Sequence, residues 1–308
     1  MLENSNMFMM QIFLLCLVLV GIITVKAHIV DEHTRSSFSN LILSLFLPCN
    51  ILSSFIGSRR SQFHSMQVIF IISLGVMILC FLLSKYVFYR RIGAEQKKVL
   101  LYATLISNAS FIGNPVVESV FGADALVYAS AYLIPLRVAL WTVGLAVFTG
   151  GKGNFKKIFF HPCLIATYIG ILMMLTGFIP PVLVSRLVFS LGNCTTPFSM
   201  MVVGNILALA DLRKLISRIT VYFTCIRLVL IPFIVMGILL IANQWLKMDS
   251  IIPGIVVILS GMPAAVTTSM LADKYNADKE MASNIIFVST VFSIATVPLL
   301  LWILKMVF

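Results

Sequence analysis

The chain has 308 residues, of which 60% are hydrophobic and only 11% are charged, and its mean hydropathy is +1.06. A soluble domain carries roughly 25% charged residues, so this much apolar surface indicates a lipid environment rather than water. The formal net charge of +11 does not indicate a nucleic-acid partner, because the basic residues lie in short loops between apolar stretches.

Ten apolar stretches are each close to the roughly 20 residues that cross the hydrocarbon core of a bilayer. Backbone groups in lipid must hydrogen-bond internally, so these stretches are predicted to be helices rather than strands. The predicted spans are 7–26, 37–56, 66–88, 99–122, 126–148, 162–178, 182–209, 217–241, 251–272 and 282–306. The fold class is therefore predicted to be an all-α membrane protein with ten transmembrane helices.

The Lys and Arg residues predict how these spans are oriented. With the N-terminus outside, fifteen of them fall in inner loops and five on the outer side. Because cytoplasmic loops carry the excess of positive charge, both termini are predicted to lie outside. The stretch before the first span holds Glu3 and no basic residue, which argues against a cleavable signal peptide. We expect a multi-pass protein of the plasma membrane, which is the inner membrane of a bacterial cell.

The ten spans divide into two groups of five. Residues 1–149 and 162–308 are predicted to form two five-helix repeats, and the Gly- and Lys-rich segment 150–161 is predicted to be a cytoplasmic linker. Because five is an odd number, the second repeat starts on the opposite side of the membrane, so the repeats are inverted.

Four prolines support the two repeats. Pro48 and Pro197 lie in the second span of each half, and Pro115 and Pro263 lie in the fourth. The separations within the two pairs are 67 and 66 residues. Proline lacks an N–H group and suits the first turn of a helix. Spans four and nine are therefore predicted to be broken at their prolines.

The first break is predicted at Gly113, Asn114 and Pro115. Asn114 is a favourable N-cap for a helix that starts at Pro115, so we expect one helix through Ile112 and a second from Pro115. A simple proline kink is the alternative.

The second break is predicted at Gly261, Met262 and Pro263, with one helix ending at Ser260 and the next starting at Pro263. Two half-helices that start at mid-membrane would direct their positive dipole ends and free N–H groups at an anion. The predicted donors are the backbone N–H groups of Val116, Val117, Ala264 and Ala265. The unwound carbonyl groups could instead hold a cation.

Three charged residues lie well inside spans, away from their ends, and a charge at membrane depth is a functional hypothesis by default. Arg137 and Arg227 could attract a carboxylate or pair with Glu118. Arg227 could equally extend to a membrane interface. Glu118 follows Pro115 by one turn, so it is a candidate for proton coupling or a structural partner of an arginine.

Several residues near the prolines are predicted to bind the substrate. The full set is Asn50, Gly113, Asn114, Pro115, Pro263, Ala264 and Thr267. No catalytic residue, metal ligand or cofactor is expected, because the sequence holds no nucleotide-binding, nucleophile or metal-ligand motif. H⁺ and Na⁺ are the candidate coupling ions.

Three stretches resemble the auxin efflux carrier family. They are HIVDEHTRSSFSNLILSLFLPCNILSSF, NASFIGNPVVESVFG and, the most specific, GMPAAVTTSMLADKYNADKEMASNIIFVSTVFSIATVPLLLWIL. The family includes plant auxin carriers and bacterial malate and malonate permeases. The resemblance implies two inverted repeats whose fourth and ninth helices cross at Pro115 and Pro263. It also implies a scaffold of helices 1, 2, 6 and 7, transport helices 3–5 and 8–10, and a homodimer.

The function expected from these features is secondary active transport of small organic anions, either mono- or dicarboxylates or auxin-like acids, by alternating access. Val116 and Ala264 follow the crossover prolines where plant carriers place polar residues, which favours a small carboxylate. A sodium-coupled symporter of related fold is one alternative, and a membrane sensor or channel is another. No enzyme activity is expected.

Overall fold

The computed structural model shows a chain that is almost wholly helical. It describes residues 2–56, 62–87, 92–122, 124–149, 160, 162–208, 216–246, 248–249 and 251–307. In these ranges the only β-type pairing is a single antiparallel bridge between Ser107 and Ala264. The prediction of an all-α chain is confirmed. The predicted linker 150–161 lies, apart from residue 160, outside the described residues.

The described helices of the first half are numbered α1 to α8. Their bounds are Leu2–Lys26, Glu32–Leu41, Leu47–Phe55, Phe63–Val87, Ala94–Leu105, Asn114–Phe121, Ala125–Ala139 and Leu145–Thr149. Helix α2 begins where it does because the carboxylate of Asp31 accepts a hydrogen bond from the Thr34 N–H at 2.7 Å. The hydrogen bond from Thr34 lowers the pKa of Asp31 below its usual value.

The described helices of the second half are numbered α9 to α16. Their bounds are Pro162–Thr176, Val182–Asn193, Thr195–Ala208, Arg218–Cys225, Ile231–Leu246, Ile251–Ser260, Thr267–Lys274 and Lys279–Val307. Helix α12 starts with a capping box, in which Ser217 and Thr220 exchange side-chain and backbone hydrogen bonds.

Five helical stretches are long and apolar enough to cross a bilayer. They are His33–Phe55, Phe63–Tyr86, Ala125–Thr149, Arg218–Trp245 and Lys279–Val307. Large apolar side chains on them face outward: Ile71 is 66% exposed and Trp245 is 84% exposed. An outer surface of this kind requires lipid around it.

Three prolines each follow a wide π-helical turn instead of ending their helix. These turns span Ile42–Phe46 before Pro48, Ala109–Gly113 before Pro115, and Ile226–Leu230 before Pro232. A proline has no N–H and its ring crowds the carbonyl four residues earlier. In a π turn, backbone N–H groups donate to the carbonyl five residues earlier instead of four, which relieves that crowding while the helix continues.

Helices from the two halves pack closely at glycines. A Cβ atom on Gly204 of α11 would lie 2.1 Å from the Val18 carbonyl oxygen of α1, and one on Gly21 would lie 2.3 Å from the Met201 carbonyl oxygen. Helices α1 and α11 therefore touch backbone to backbone, which small residues alone permit. In the same way, Gly170 of α9 packs against the ring of Phe55 in α3.

Candidate functional site

Two interrupted helical segments meet in the middle of the molecule. Helix α5 ends at Leu105 and the chain becomes helical again at Ala109; α14 ends at Ser260 and α15 starts at Thr267. We call the two non-helical stretches, 106–108 and 261–266, the crossover. They hold each other through backbone hydrogen bonds, and neither stretch could be left unpaired in lipid.

Two hydrogen bonds join the stretches of the crossover. The Asn108 N–H donates to the Pro263 carbonyl at 2.8 Å, and the Ala265 N–H donates to the Ile106 carbonyl at 3.3 Å. Between them lies the bridge of Ser107 and Ala264. Backbone groups that a continuous helix would have satisfied within itself are here satisfied by the other half of the chain.

The first predicted break is wrong in position. The chain is helical through Gly113, Asn114 and Pro115, because the π turn accommodates the proline. Asn114 is consequently not an N-cap: it has helical φ and ψ, and its N–H bonds to the Ala109 carbonyl. Its side-chain Oδ1 is buried and has no hydrogen-bond partner among the described residues.

The second break starts where the sequence predicted, after Ser260, but the predicted restart at Pro263 is wrong. Helix α15 begins at Thr267, four residues later. The predicted N–H donors are also engaged elsewhere: Ala264 donates to the Ser289 hydroxyl at 3.2 Å and Ala265 to Ile106. Val116 and Val117 lie inside the continuous helix α6. These four groups are therefore not the open donors of an anion site.

A different set of N–H groups is open. The backbone N–H groups of Ser110, Phe111, Val266 and Thr267 make no hydrogen bond within the described part of the chain. They belong to the first turns of the helical stretches that restart at Ala109 and Thr267. Two positive dipole ends therefore face one place from the two sides of the crossover.

That place is a cavity of about 50 Å³, which is room for about four water molecules at roughly 10–15 Å³ each. Its walls come from the crossover, from α3, α7, α9 and the start of α15, and from the π turns Ala109–Gly113 and Leu140–Gly144. They comprise Leu47, Ile106, Ser107, Asn108, Ser110, Phe111, Leu136, Arg137, Leu140, Cys163, Ala265, Val266 and Thr267. Of these residues, Arg137 and Thr267 belong to the predicted site, and Ala265 is one of the predicted backbone donors.

Arg137 supplies the charge of the cavity. It lies on α7, its side chain is 6% exposed, and its Nη1 reaches the Thr167 hydroxyl only at 3.5 Å. Nε and Nη2 have no hydrogen-bond partner in the described part of the structure, and no carboxylate described there pairs with it. A buried guanidinium with open donors is costly unless a ligand completes its hydrogen bonds.

Thr267 is positioned from outside the cavity. Its hydroxyl accepts a hydrogen bond from the buried Tyr102 hydroxyl at 2.9 Å. Tyr102 is itself held by the ring of Phe148, with the ring centroids 5.3 Å apart. The helix start at Thr267 is therefore tied to α5 by a side-chain bond as well as by the backbone of the crossover.

The other predicted site residues lie away from the cavity walls. Asn50 is half-buried on α3, where its backbone packs against Gly192. Gly113 packs so closely on Leu259 that a Cβ would approach it to 2.6 Å. Glu118 is exposed on α6. Pro263 and Ala264 form the crossover itself without lining the cavity.

Arg227 contacts the crossover without lining the cavity, and it is 2% exposed. Its Nε donates to the Met262 carbonyl at 2.9 Å and its Nη1 to the Thr104 carbonyl at 3.1 Å. A guanidinium in this position is not at a membrane interface, so the alternative that Arg227 extends to the surface is wrong. Arg227 is also not paired with Glu118.

Sequence reasoning missed the polar wall formed by Ser107, Asn108 and Ser110. The signal was present as a polar run, Ser-Asn-Ala-Ser, in an otherwise apolar span. The break was instead predicted at the nearby Gly-Asn-Pro triplet, because glycine and proline are stronger local signals of a helix break than a polar run.

Comparison with known proteins finds membrane transporters. One family model, described as membrane transport protein, matches the chain twice, over residues 6–158 and 151–303. An uncharacterized transporter of Methanothermobacter thermautotrophicus is 26% identical over 291 residues, covering 92% of this chain and 94% of the relative. An uncharacterized transporter of Methanocaldococcus jannaschii is 26% identical over 309 aligned positions, covering 95% and 97%.

A third relative has a substrate in its name. A protein of Rhizobium meliloti called "Putative malonate transporter" is 25% identical over 229 residues, covering 71% of this chain and 70% of the relative. All three relatives carry the names of transporters rather than enzymes.

Proposed function

This chain belongs to the membrane transport protein family, and we propose that it is a secondary active transporter of small organic anions that works by alternating access. The resemblance to the auxin efflux carriers is confirmed by the family match, which covers nearly the whole chain. The observation that carries the substrate class is Arg137, a buried arginine with open hydrogen-bond donors, beside two helix N-termini.

The physical argument concerns the sign of the charge. Arg137 is always protonated under physiological conditions, and the open N–H groups of Phe111 and Thr267 add two partial positive charges. A carboxylate would pair with the arginine through two parallel hydrogen bonds and would accept from the backbone donors. A cation would meet repulsion from every one of these groups.

The volume of the cavity bears on which organic acids could bind in it. At about 50 Å³ the cavity would have to widen for any of these acids, and by less for a short mono- or dicarboxylate than for a bulky aromatic acid of the auxin type. The name of the Rhizobium meliloti relative supports a dicarboxylate such as malonate as the first compound to test.

The proposed architecture has ten spans in two inverted repeats, with both termini outside and a homodimer in the membrane. Two matches to one family model support a repeat. The contacts of α1 with α11 and of α3 with α9 support a scaffold of the first, second, sixth and seventh spans. Substrate would move with the crossover against this scaffold, and Glu118 remains the proposed proton-coupling residue.

Arg137→Gln tests the proposed site. Purified protein in detergent is titrated with malonate, and binding is followed by calorimetry. Losing charge-assisted hydrogen bonds worth about 1.5–3 kcal/mol should weaken binding roughly 10- to 150-fold. Arg186→Gln is the matched control, since Arg186 is exposed on α10. Equal malonate affinity of Arg137→Gln and the parent, with both proteins binding, would contradict the proposed site.

A further inference from the structure

Arg227 joins three parts of the structure at one buried point. It lies in the π turn Ile226–Leu230, donates to the carbonyls of Met262 and Thr104, and reaches the Cys80 sulfur at 3.8 Å from Nη1. The three partners, Met262, Thr104 and Cys80, are all buried residues. Among the described residues no carboxylate forms an ion pair with this arginine, so its charge is balanced by carbonyl oxygens.

The two carbonyls are ones that the helix breaks leave open. In a continuous helix the Thr104 carbonyl would accept from the Asn108 N–H, but that N–H donates to Pro263 instead. Met262 lies in the non-helical stretch after α14. Each carbonyl sits at the C-terminal end of a half-helix, where the dipole is negative and the last carbonyls lack partners.

The crossover therefore separates opposite charges. The N-terminal ends of two half-helices, at Ala109 and Thr267, face the cavity, and the C-terminal ends of the other two, at Leu105 and Ser260, lie toward Arg227. Backbone carbonyls gathered at two negative helix ends are oxygen ligands of the kind that a metal cation such as Na⁺ takes. Here a covalently attached cation occupies them.

We propose that Arg227 is the built-in cation of the crossover, so that the crossover stays assembled without bound Na⁺. It is a positioning residue, because it touches the Met262 carbonyl of the crossover and the Thr104 carbonyl in the last turn of α5, and it does not line the cavity. Its guanidinium satisfies two orphan acceptors at once and holds the two stretches in the geometry that exposes the N–H donors on the other side. This inference concerns the stability of the crossover and does not depend on which anion is carried.

The test measures thermal unfolding of purified protein without any carboxylate, in sodium, choline and methylguanidinium chlorides at equal ionic strength. The parent should unfold at the same temperature in sodium and in choline. Arg227→Ala should unfold at a temperature lower by roughly 5 °C or more. Methylguanidinium should restore part of that loss, because it can fill the vacated space and donate to the same carbonyls.

Arg186→Ala is the control, since it removes an exposed guanidinium and reports any general effect of methylguanidinium. A parent protein that is more stable in sodium than in choline would overturn the proposal, and this comparison needs no variant. An Arg227→Ala protein as stable as the parent would also overturn it, as would one that methylguanidinium rescues no better than it stabilises Arg186→Ala. If Arg227→Ala does not fold, Arg227→Lys should fold with reduced stability, and parental stability of that variant would contradict the two-carbonyl geometry.

Discussion

The hydrogen bond between Tyr102 and Thr267 allows a sharp test of how the start of α15 is held. The Tyr102 side chain is fully buried and its hydroxyl donates to the Thr267 hydroxyl at 2.9 Å. Thr267→Val removes the acceptor and leaves the tyrosine hydroxyl without a partner. Tyr102→Phe removes the donor, and the double variant replaces both polar groups by apolar ones.

The expected changes in the free energy of unfolding follow from the burial of this hydrogen bond. An unsatisfied buried hydroxyl costs about 1–3 kcal/mol, so Thr267→Val should lower the free energy of unfolding by that amount. Tyr102→Phe should cost about 0.5–1.5 kcal/mol, the net value of a typical hydrogen bond. The double variant should cost less than the sum of the two, with an interaction energy of about 1 kcal/mol.

The assay is equilibrium unfolding of the four proteins in the same detergent. Thr176→Val is the matched control, because Thr176 is exposed and its hydroxyl donates to carbonyls of its own helix and accepts only a long bond of 3.4 Å from the Phe178 N–H. That control should change stability by less than about 0.5 kcal/mol. Costs of the two single changes that simply add in the double variant would refute the reasoning, since the bond would then contribute nothing to the start of α15.

Two further predictions follow from packing and charge. Gly204→Ala should destabilise the protein because its Cβ would lie 2.1 Å from the Val18 carbonyl oxygen. Gly237→Ala is the control: its Cβ would meet nothing within 4 Å, so this change should be neutral or slightly stabilising. Thermal unfolding compares the two variants, and equal effects on the unfolding temperature would contradict the close contact between the helices. Glu118→Gln should keep malonate exchange in proteoliposomes but lose accumulation driven by a pH gradient, because the titrating group is gone, while Glu95→Gln should keep both. Undiminished accumulation by Glu118→Gln would make Glu118 structural.

The sequence supported a helical membrane protein with two interrupted segments because apolar length and proline placement are local signals. The end of α14 at Ser260 is an example: Gly261 follows it directly, Pro263 comes two residues after Gly261, and the helix ends there. The break at Ile106–Asn108 has no glycine or proline of its own. It exists because the other half of the chain supplies hydrogen bonds to it, and such tertiary pairing leaves no local pattern.

The roles of the two arginines likewise could not be predicted from local sequence patterns. The sequence placed Arg137 and Arg227 inside spans and gave both as candidates for holding a carboxylate. Which of them has open donors depends on what surrounds each side chain. The structure gives Arg227 two carbonyl acceptors and leaves two nitrogens of Arg137 without partners among the residues it describes. Only the packing of distant segments could distinguish them.

Because of the hydrogen bonds of the crossover, neither half of the chain can satisfy its backbone at membrane depth by itself. The Asn108 N–H and the Ile106 carbonyl come from one half, and their partners on Pro263 and Ala265 come from the other. Either half alone would leave two polar backbone groups unpaired at membrane depth, at a cost of several kcal/mol each. A chain of half this length could therefore satisfy these groups only by pairing with a second chain that supplies the missing donors and acceptors.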